Sequence, residues 1–534
     1  MFAHLRRRLD PAAFVLALSL AASCATAPRA GAPRATGAAR APLVYTIRLP
    51  APSTRTFDVD VVVPTDGRDS VVLFMPIWSP GMYSLMSYGD RVTAFTAFAG
   101  RAADGAPLAV RHPDGGHWVV QTGGRPAVTV TYTVSAPRGS NLSNGVTDTS
   151  LVVIGPATFV GLAGETNRPA EVRLALPAGW KPAATSLDPA PGGAPNDFVA
   201  PDYDVLADSP ILAGTHMSSA ELTVGGVRHR WVYLGDAEWS ADSAAEWLRP
   251  LLEAHRRFWG ATMPLHNYAF LNIVGASPGS GVEHLNSVAI NTNGKAPQTR
   301  EARFREASFI SHEYFHAMNV KRLRPVELGP FDYEHTPATT GLWVAEGLTS
   351  YFGDLLAARS GLGDADDYLA LLSRHITDLQ HSPGRLVQTL QQASSQMFER
   401  VPRDRSVDYY VKGPVVGFVL DAHIRKHTGG RRSMDDVIRL EYARWSGAHG
   451  FTAEDFARTA SDAAGFDVAP LLHTLVATTT EVDYTEALDW FGLRFVPNAE
   501  PANAVKAWTL EVRPDATAEQ RAHLAALLAR SGGR

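Results

Sequence analysis

The chain has 534 residues, 45% of them hydrophobic and 19% charged, enough to bury two or three cores. Its formal net charge of −5, with basic residues spread along the chain, removes any electrostatic case for nucleic-acid binding. A single cysteine, Cys24, excludes an internal disulfide, so other interactions must hold the fold.

The N-terminus is signal-like. Arg6-Arg7-Arg8 precedes an apolar run from Phe14 to Cys24 that is too short for a stable transmembrane helix, so 1–23 reads as a signal segment. Leu20-Ala21-Ala22-Ser23 ahead of Cys24 resembles a lipobox, with Leu one place earlier than usual. Plain cleavage near Ala-Ser-Cys-Ala is the alternative. Both readings place the protein in the bacterial cell envelope, as a periplasmic protein or as an outer-membrane lipoprotein attached through acylated Cys24. The stretch 24–41, rich in Ala, Pro, Gly and Arg, reads as a flexible tether.

From about 42 to 236 the pattern is β. Val128, Val130, Tyr132 and Val134 alternate with Thr129, Thr131 and Thr133, which predicts a half-buried strand. Asp58–Pro64, Val71–Met75, Glu171–Leu176 and Arg230–Leu234 are similar short runs between Pro/Gly clusters. From 237 to 495 helices dominate: Asp242–Phe258, Leu342–Arg359, Val415–Lys426 and Met434–Trp445, with Phe270–Val274 as a strand. The last stretch, 496–534, is short and ends in a helix near Ala518–Arg530. No internal repeat is present.

Within the helical half, Ser311-His312-Glu313-Tyr314-Phe315-His316 is an HExxH zinc-protease signature. Phe304, Ala307, Ser308, Ile310, Ser311 and Phe315 recur at spacings of three and four, and Pro325 stops the helix. On that helix His312 and His316 project from one face and can share a metal ion, with Glu313 beside them to take a proton from an attacking water. A core helix with two satisfied histidines is the bland reading, and it leaves Glu313 unexplained.

Two histidines leave a catalytic zinc one protein ligand short. Asn319 and Arg322 stand where a metzincin needs Gly and His. Glu334 and His335 lie in a Pro-flanked loop, whereas Glu346 sits within the apolar, helix-compatible run Leu342–Phe352. A buried carboxylate needs a cationic partner, which favours Glu346 and leaves His335 and Glu334 as alternatives.

Trp343-Val344-Ala345-Glu346-Gly347-Leu348-Thr349-Ser350-Tyr351 resembles the W-x-x-E-G-F-x-S-Y segment of gluzincin aminopeptidases. The run His312–Pro325, the long interval from His316 to Glu346, and Trp78-Ser79-Pro80-Gly81-Met82-Tyr83 resemble more narrowly the glycyl aminopeptidase family. Gly279-Ser280-Gly281-Val282-Glu283-His284-Leu285-Asn286-Ser287 and Asp408-Tyr409-Tyr410-Val411-Lys412-Gly413 are similar to two further segments of that family. The resemblance implies a multidomain α+β fold, an N-terminal β-sandwich followed by an α-rich, thermolysin-like (gluzincin) catalytic domain. It implies one zinc per chain on His312, His316 and Glu346, with Glu313 as base and Tyr410 as donor to the oxyanion. Glu283 would bind the free α-amino group of a peptide, beside a turn whose Gly281 lets the substrate backbone approach. N-terminal Gly or Ala would be preferred. Family members often carry a C-terminal PDZ domain, for which the segment after Phe495 is too short.

Two rivals stand beside an aminopeptidase: an endopeptidase of the same fold, and a non-catalytic envelope protein that binds peptides. Lys321, Arg322 and Arg324 are expected to cap the zinc helix and pair with acids such as Asp332 or Glu334 rather than hold a peptide carboxylate. Asp354, two turns beyond Glu346, is expected to support the ligand set.

Overall fold

Every second residue of Thr56–Pro64 is apolar, and its strand partner Ala127–Ser135 repeats the pattern in register. In the computed structural model, Phe57 faces Val134, Val59 faces Tyr132, Val61 faces Val130 and Val63 faces Val128, so one face of the pair is wholly buried. The structure describes residues 40–260, 263–496 and 506–529. The expected signal segment, Cys24 and nearly all of the tether lie outside the described residues.

That strand pair is the middle of an eight-stranded sheet, which shares one core with a five-stranded and a four-stranded sheet. Tyr45, Phe57, Trp118 and Phe159 are among the large side chains of this core. A further five-stranded sheet carries the chain into the helical half. Its strands are Met217–Val224 (β1), Val227–Leu234 (β2), Asn267–Val274 (β3), Ser280–Glu283 (β4) and Ser287–Thr292 (β5), in the order β1-β2-β3-β5-β4. Pairing is parallel between β2, β3 and β5 and antiparallel at both edges. The boundary expected at 236 thus cuts two strands from their sheet, because β2 pairs with β3 along its whole length.

Both faces of this sheet are covered, which is why the second half of β2, Trp231–Leu234, and most of β3 are apolar. Trp231, Tyr233 and Phe270 pack into the helical core, while Val232, Leu234, Leu271 and Ile273 point the other way into the β core. The segment expected to be a Gly-rich turn before Glu283 is in fact the edge strand β4, with Gly281 opposite Ile290 and Glu283 opposite Val288.

On the helical side stand Ala241–Trp259 (α1), Arg300–Phe315 (α2), Leu348–Ser360 (α3), Tyr409–Thr428 (α4) and Thr485–Phe491 (α5). Side-chain oxygens of Ser240 and Thr299 cap α1 and α2 at their N-termini. The helix expected from Leu342 opens as a π-helical turn, Trp343–Gly347, before α3 begins. α4 begins at Tyr409 rather than Val415, with Asp408 as its cap. After Phe495 the chain returns to pair Leu510–Val512 with Leu493–Phe495, and the carbonyl of Leu527 in the helix Ala518–Leu528 accepts a 2.9 Å hydrogen bond from Arg359. Arg530, the expected end of that helix, is outside the described residues.

Candidate active site

α2 buries Phe304, Ala307, Ile310, Tyr314 and Phe315 against the sheet and α1, which turns His312 and His316 toward the cleft. Their Nε2 atoms lie 2.9 Å apart, and Glu346 Oε2 is 3.2 Å from His316 Nε2 and 3.6 Å from His312 Nε2. His316 Nδ1 donates to the Asn319 carbonyl at 2.8 Å. Ser350 Oγ gives its proton to the Glu346 carbonyl, so the 3.1 Å contact with His312 Nδ1 has the imidazole as donor. Both rings are therefore oriented through their Nδ1–H groups, and both Nε2 atoms face one carboxylate oxygen.

Positive charge between these atoms, an Nε2 proton or a metal ion, satisfies that arrangement. The other oxygen, Glu346 Oε1, is buried and accepts no hydrogen bond among the described residues. Burial would lower the His316 imidazole, yet the carboxylates of Glu346, Glu283 and Glu313 outweigh it and bring it to about 9. Burial would likewise raise Glu346, and the two histidines hold it well below the usual carboxylate range. Two imidazole nitrogens and a carboxylate oxygen at these separations are the donor set of a catalytic zinc site with one position left open.

Asn319 is the organiser of this centre, and the sequence offers only its distance of three residues from His316 as a signal. Its carbonyl orients His316, while its side-chain amide donates to the Val344 carbonyl at 2.8 Å and to Thr349 Oγ1 at 3.0 Å. The end of α2 is thus tied to both ends of the turn that carries Glu346.

The other acids stand around the metal centre. Glu313 is buried beside Gly281, where a Cβ would come within 2.3 Å of its carboxyl carbon. Burial pushes the Glu313 carboxyl up to about 8, with His316 opposing and Glu283 and Glu346 adding to the rise. Gly281 thus serves first to make room for Glu313. Two residues on, Glu283 lies on the same face of β4 and is 4% exposed; its Oε1 has no hydrogen-bond partner among the described residues. Gly81, at φ +87, lies against it, and a Cβ there would be 2.7 Å from Glu283 Oε2. Trp78–Tyr83, in the sequence only a marker of resemblance, therefore reaches the cleft through Gly81. Burial together with Glu346 and Glu283 raises the Tyr83 phenol well above its ordinary value. Tyr410, in the first turn of α4, has its ring 6.1 Å from that of His312 and is 37% exposed, open to a ligand. The cleft has a volume of about 550 Å³, and Arg305, Arg374, His375 and Asp378 also line it.

Several expectations need correction. Glu334 bonds to His117 at 2.8 Å, and His335 is an exposed partner of Asp332, so neither joins the histidine pair. Lys321 pairs with Asp208, 3.0 Å away, not with Asp332 or Glu334, which are taken by His335 and His117. Arg322 donates to the carbonyls of Leu285 and Ala317 and to Asn286, and Arg324 lies over the ring of Phe331. Asp354 accepts from Ser308 and His375 and touches no ligand. Asp208 is a further residue that sequence reasoning missed. It also accepts from His284 Nδ1 at 2.9 Å and from the Leu285 backbone at 2.7 Å, fixing the chain just after Glu283. Burial would raise Asp208, but Lys321 and His284 bring it down to about 2.

A thermolysin-like arrangement of helices, with an HExxH pair completed by a glutamate from the following helical segment, defines a zinc-type metallopeptidase. Family-level comparison agrees. The M61 glycyl aminopeptidase model matches residues 305–416, and the peptidase M61 N-terminal domain model matches 44–215, together more than half of the chain. The chain belongs to the M61 glycyl aminopeptidase family.

Solved structures share its fold. An aminopeptidase N family protein from Idiomarina loihiensis is 24% identical with a TM-score of 0.78, covering 84% of this chain and 78% of its own. The M1 zinc metallopeptidase of Deinococcus radiodurans is 14% identical with a TM-score of 0.53, covering 83% of this chain and 94% of its own. A mutant of that enzyme has been solved bound to a Tyr-Ser-Ala substrate, with a TM-score of 0.52. No curated protein matches the chain.

Proposed function

We propose that this metallopeptidase is an aminopeptidase that removes single N-terminal residues from peptides. The observation that carries the proposal is Glu283: a buried carboxylate with an unpartnered oxygen, on the same strand face as the glycine beneath Glu313. A substrate ammonium group is the cation that would relieve it, through charge-assisted hydrogen bonding. Anchoring the amine there brings the first peptide bond to the Glu313 carboxyl.

His312, His316 and Glu346 would hold the zinc, which when bound supplies Lewis-acid polarisation and a lowered water pKa. Glu313 would accept a proton from the attacking water and return it to the leaving amine, a task suited to a carboxyl raised toward neutrality. The Tyr410 hydroxyl would donate to the oxyanion as charge develops there. Preference for N-terminal Gly or Ala rests on family membership alone, and residence in the cell envelope on the Phe14–Cys24 segment alone.

The test is a comparison of Gly- and Ala-amides with their N-acetylated forms. Acetylation should lower kcat/KM by on the order of 10- to 100-fold, the worth of a hydrogen bond to a charged group, and Glu283→Ala should abolish the discrimination. Equal cleavage of free and acetylated substrates would make the enzyme an endopeptidase. No turnover with zinc bound would favour the peptide-binding reading.

A further inference from the structure

The last two turns of α4 read Asp421-Ala-His423-Ile-Arg-Lys-His427-Thr428, a second pair of histidines four residues apart. That spacing puts both rings on one face, with their centroids 4.3 Å apart. Glu486, in the first turn of α5, reaches both. Its Oε2 is 3.0 Å from His423 Nδ1, and its Oε1 is 3.2 Å from His427 Nε2. Phe466 lies against both imidazoles, with ring centroids 5.6 and 5.3 Å away, and walls off one side. His423 is largely buried, while His427 is half exposed, leaving room for water ligands.

One atom in this cluster is unexplained. Glu486 Oε1 is shielded from solvent and accepts no hydrogen bond among the described residues, although His427 and Lys426 both stand near it. Lys426 Nζ is 3.9 Å away on a side chain that solvent reaches, so it can swing aside. Arg425 is turned inward to Asp421 and does not compete.

We propose that His423, His427 and Glu486 form a second divalent-metal site, separate from the catalytic cleft, that clamps α5 to the C-terminal end of α4. His423 would bind through Nδ1, His427 through Nε2 and Glu486 through its carboxylate, with water completing the shell. Two imidazoles and one carboxylate select zinc, nickel or copper over magnesium and calcium, which require mostly oxygen donors. The clamp would stabilise the fold by mass action, since the two helices come together only in the native state. The site shares no residue with the cleft, so its occupancy is independent of the peptidase reading.

The experiment is a calorimetric zinc titration of the full-length, tag-free protein that already carries its catalytic zinc, with metal counted per chain after desalting. A second equivalent should bind and raise the melting temperature. His423→Ala and Glu486→Gln should each weaken that second binding by about 100-fold or more, the upper end of losses seen when a metal site's supporting partners are removed. Both should leave peptidase activity unchanged. The solvent-facing variant His427→Gln serves as a check should either of these misfold. Failure of wild type to take up a second equivalent at millimolar zinc would overturn the proposal, and so would second binding that survives all three substitutions. Loss of the second equivalent in Glu346→Ala rather than in these variants would assign it to the catalytic cleft instead.

Discussion

Glu346 is 1% exposed, and a carboxylate buried that deeply is tolerated only beside positive charge. Without metal the raised His316 imidazolium supplies that charge; a metal ion held between His312, His316 and Glu346 would take the place of its Nε2 proton. Glu346→Ala should therefore lose zinc and activity together, as read by metal content and turnover on the same sample. Retention of both would move the ligand elsewhere. Asn319→Ala makes a finer test: it removes both amide bonds to the glutamate turn, Val344 and Thr349, and leaves every metal ligand in place. Zinc affinity should fall by about 10- to 100-fold in a chelator competition, with the fold retained. Tyr410→Phe should keep zinc and KM but lower kcat by about 100-fold, the cost of one oxyanion donor. A rise in KM alone would give the tyrosine a binding role instead.

The turn that carries Glu346 is where helix geometry becomes a functional matter. Trp343–Gly347 is π-helical, and Gly347 sits against Gly413 of α4, where a Cβ would come 2.3 Å from the Gly347 Cα. This contact lets the start of α4, which carries Tyr410, cross directly over the glutamate turn. Gly413→Ala should thus cost about 1–3 kcal/mol of stability and also depress kcat/KM, because it moves Tyr410 away from the His312–His316–Glu346 centre. Urea unfolding and steady-state kinetics read the two effects, and a stable variant with full activity would refute the contact. The sequence explains why these elements were only partly legible. Five residues of Trp343–Gly347 cannot distinguish a π turn from an α turn by apolar spacing, and Gly413-Pro414 looks like a helix boundary although the helix runs through it. Met434–Trp445, free of such residues, matches its sequence pattern at both ends. The HExxH pair was readable because i and i+4 fix a face without tertiary help. Asp208 was not, since it meets His284 and Lys321 only after two distant segments have folded together.

At the scale of the whole molecule, the zinc helix is held from beneath by two buried histidines from different elements. His229 of β2 lies 2.8 Å from the Tyr314 hydroxyl, and His255 of α1 lies 2.9 Å from Ser311 Oγ. Burial drives both imidazoles down, His229 to about 4 and His255 to about 3, from the ordinary 6.5. The sign follows from proton uptake. Below pH 6.5 the unfolded chain gains protons on both histidines while the folded chain does not, so stability is present above 6.5 and falls as pH drops. Each histidine contributes a loss of about 1.4 kcal/mol per pH unit until its folded value is reached. Asp208 acts lower down: its stabilisation is full above 3.8 and is lost only as pH falls toward about 2. Between pH 6 and 4 the two histidines should therefore dominate among these groups. Metal release adds to the acid loss, so the measurement belongs on chelated protein, comparing wild type with His255→Gln by urea unfolding across that range. The variant should lose stability per pH unit less steeply than wild type by about 1.4 kcal/mol, one proton's worth. Parallel slopes would mean that His255 titrates in the folded state, and that the floor of the zinc helix is wetter than its burial implies.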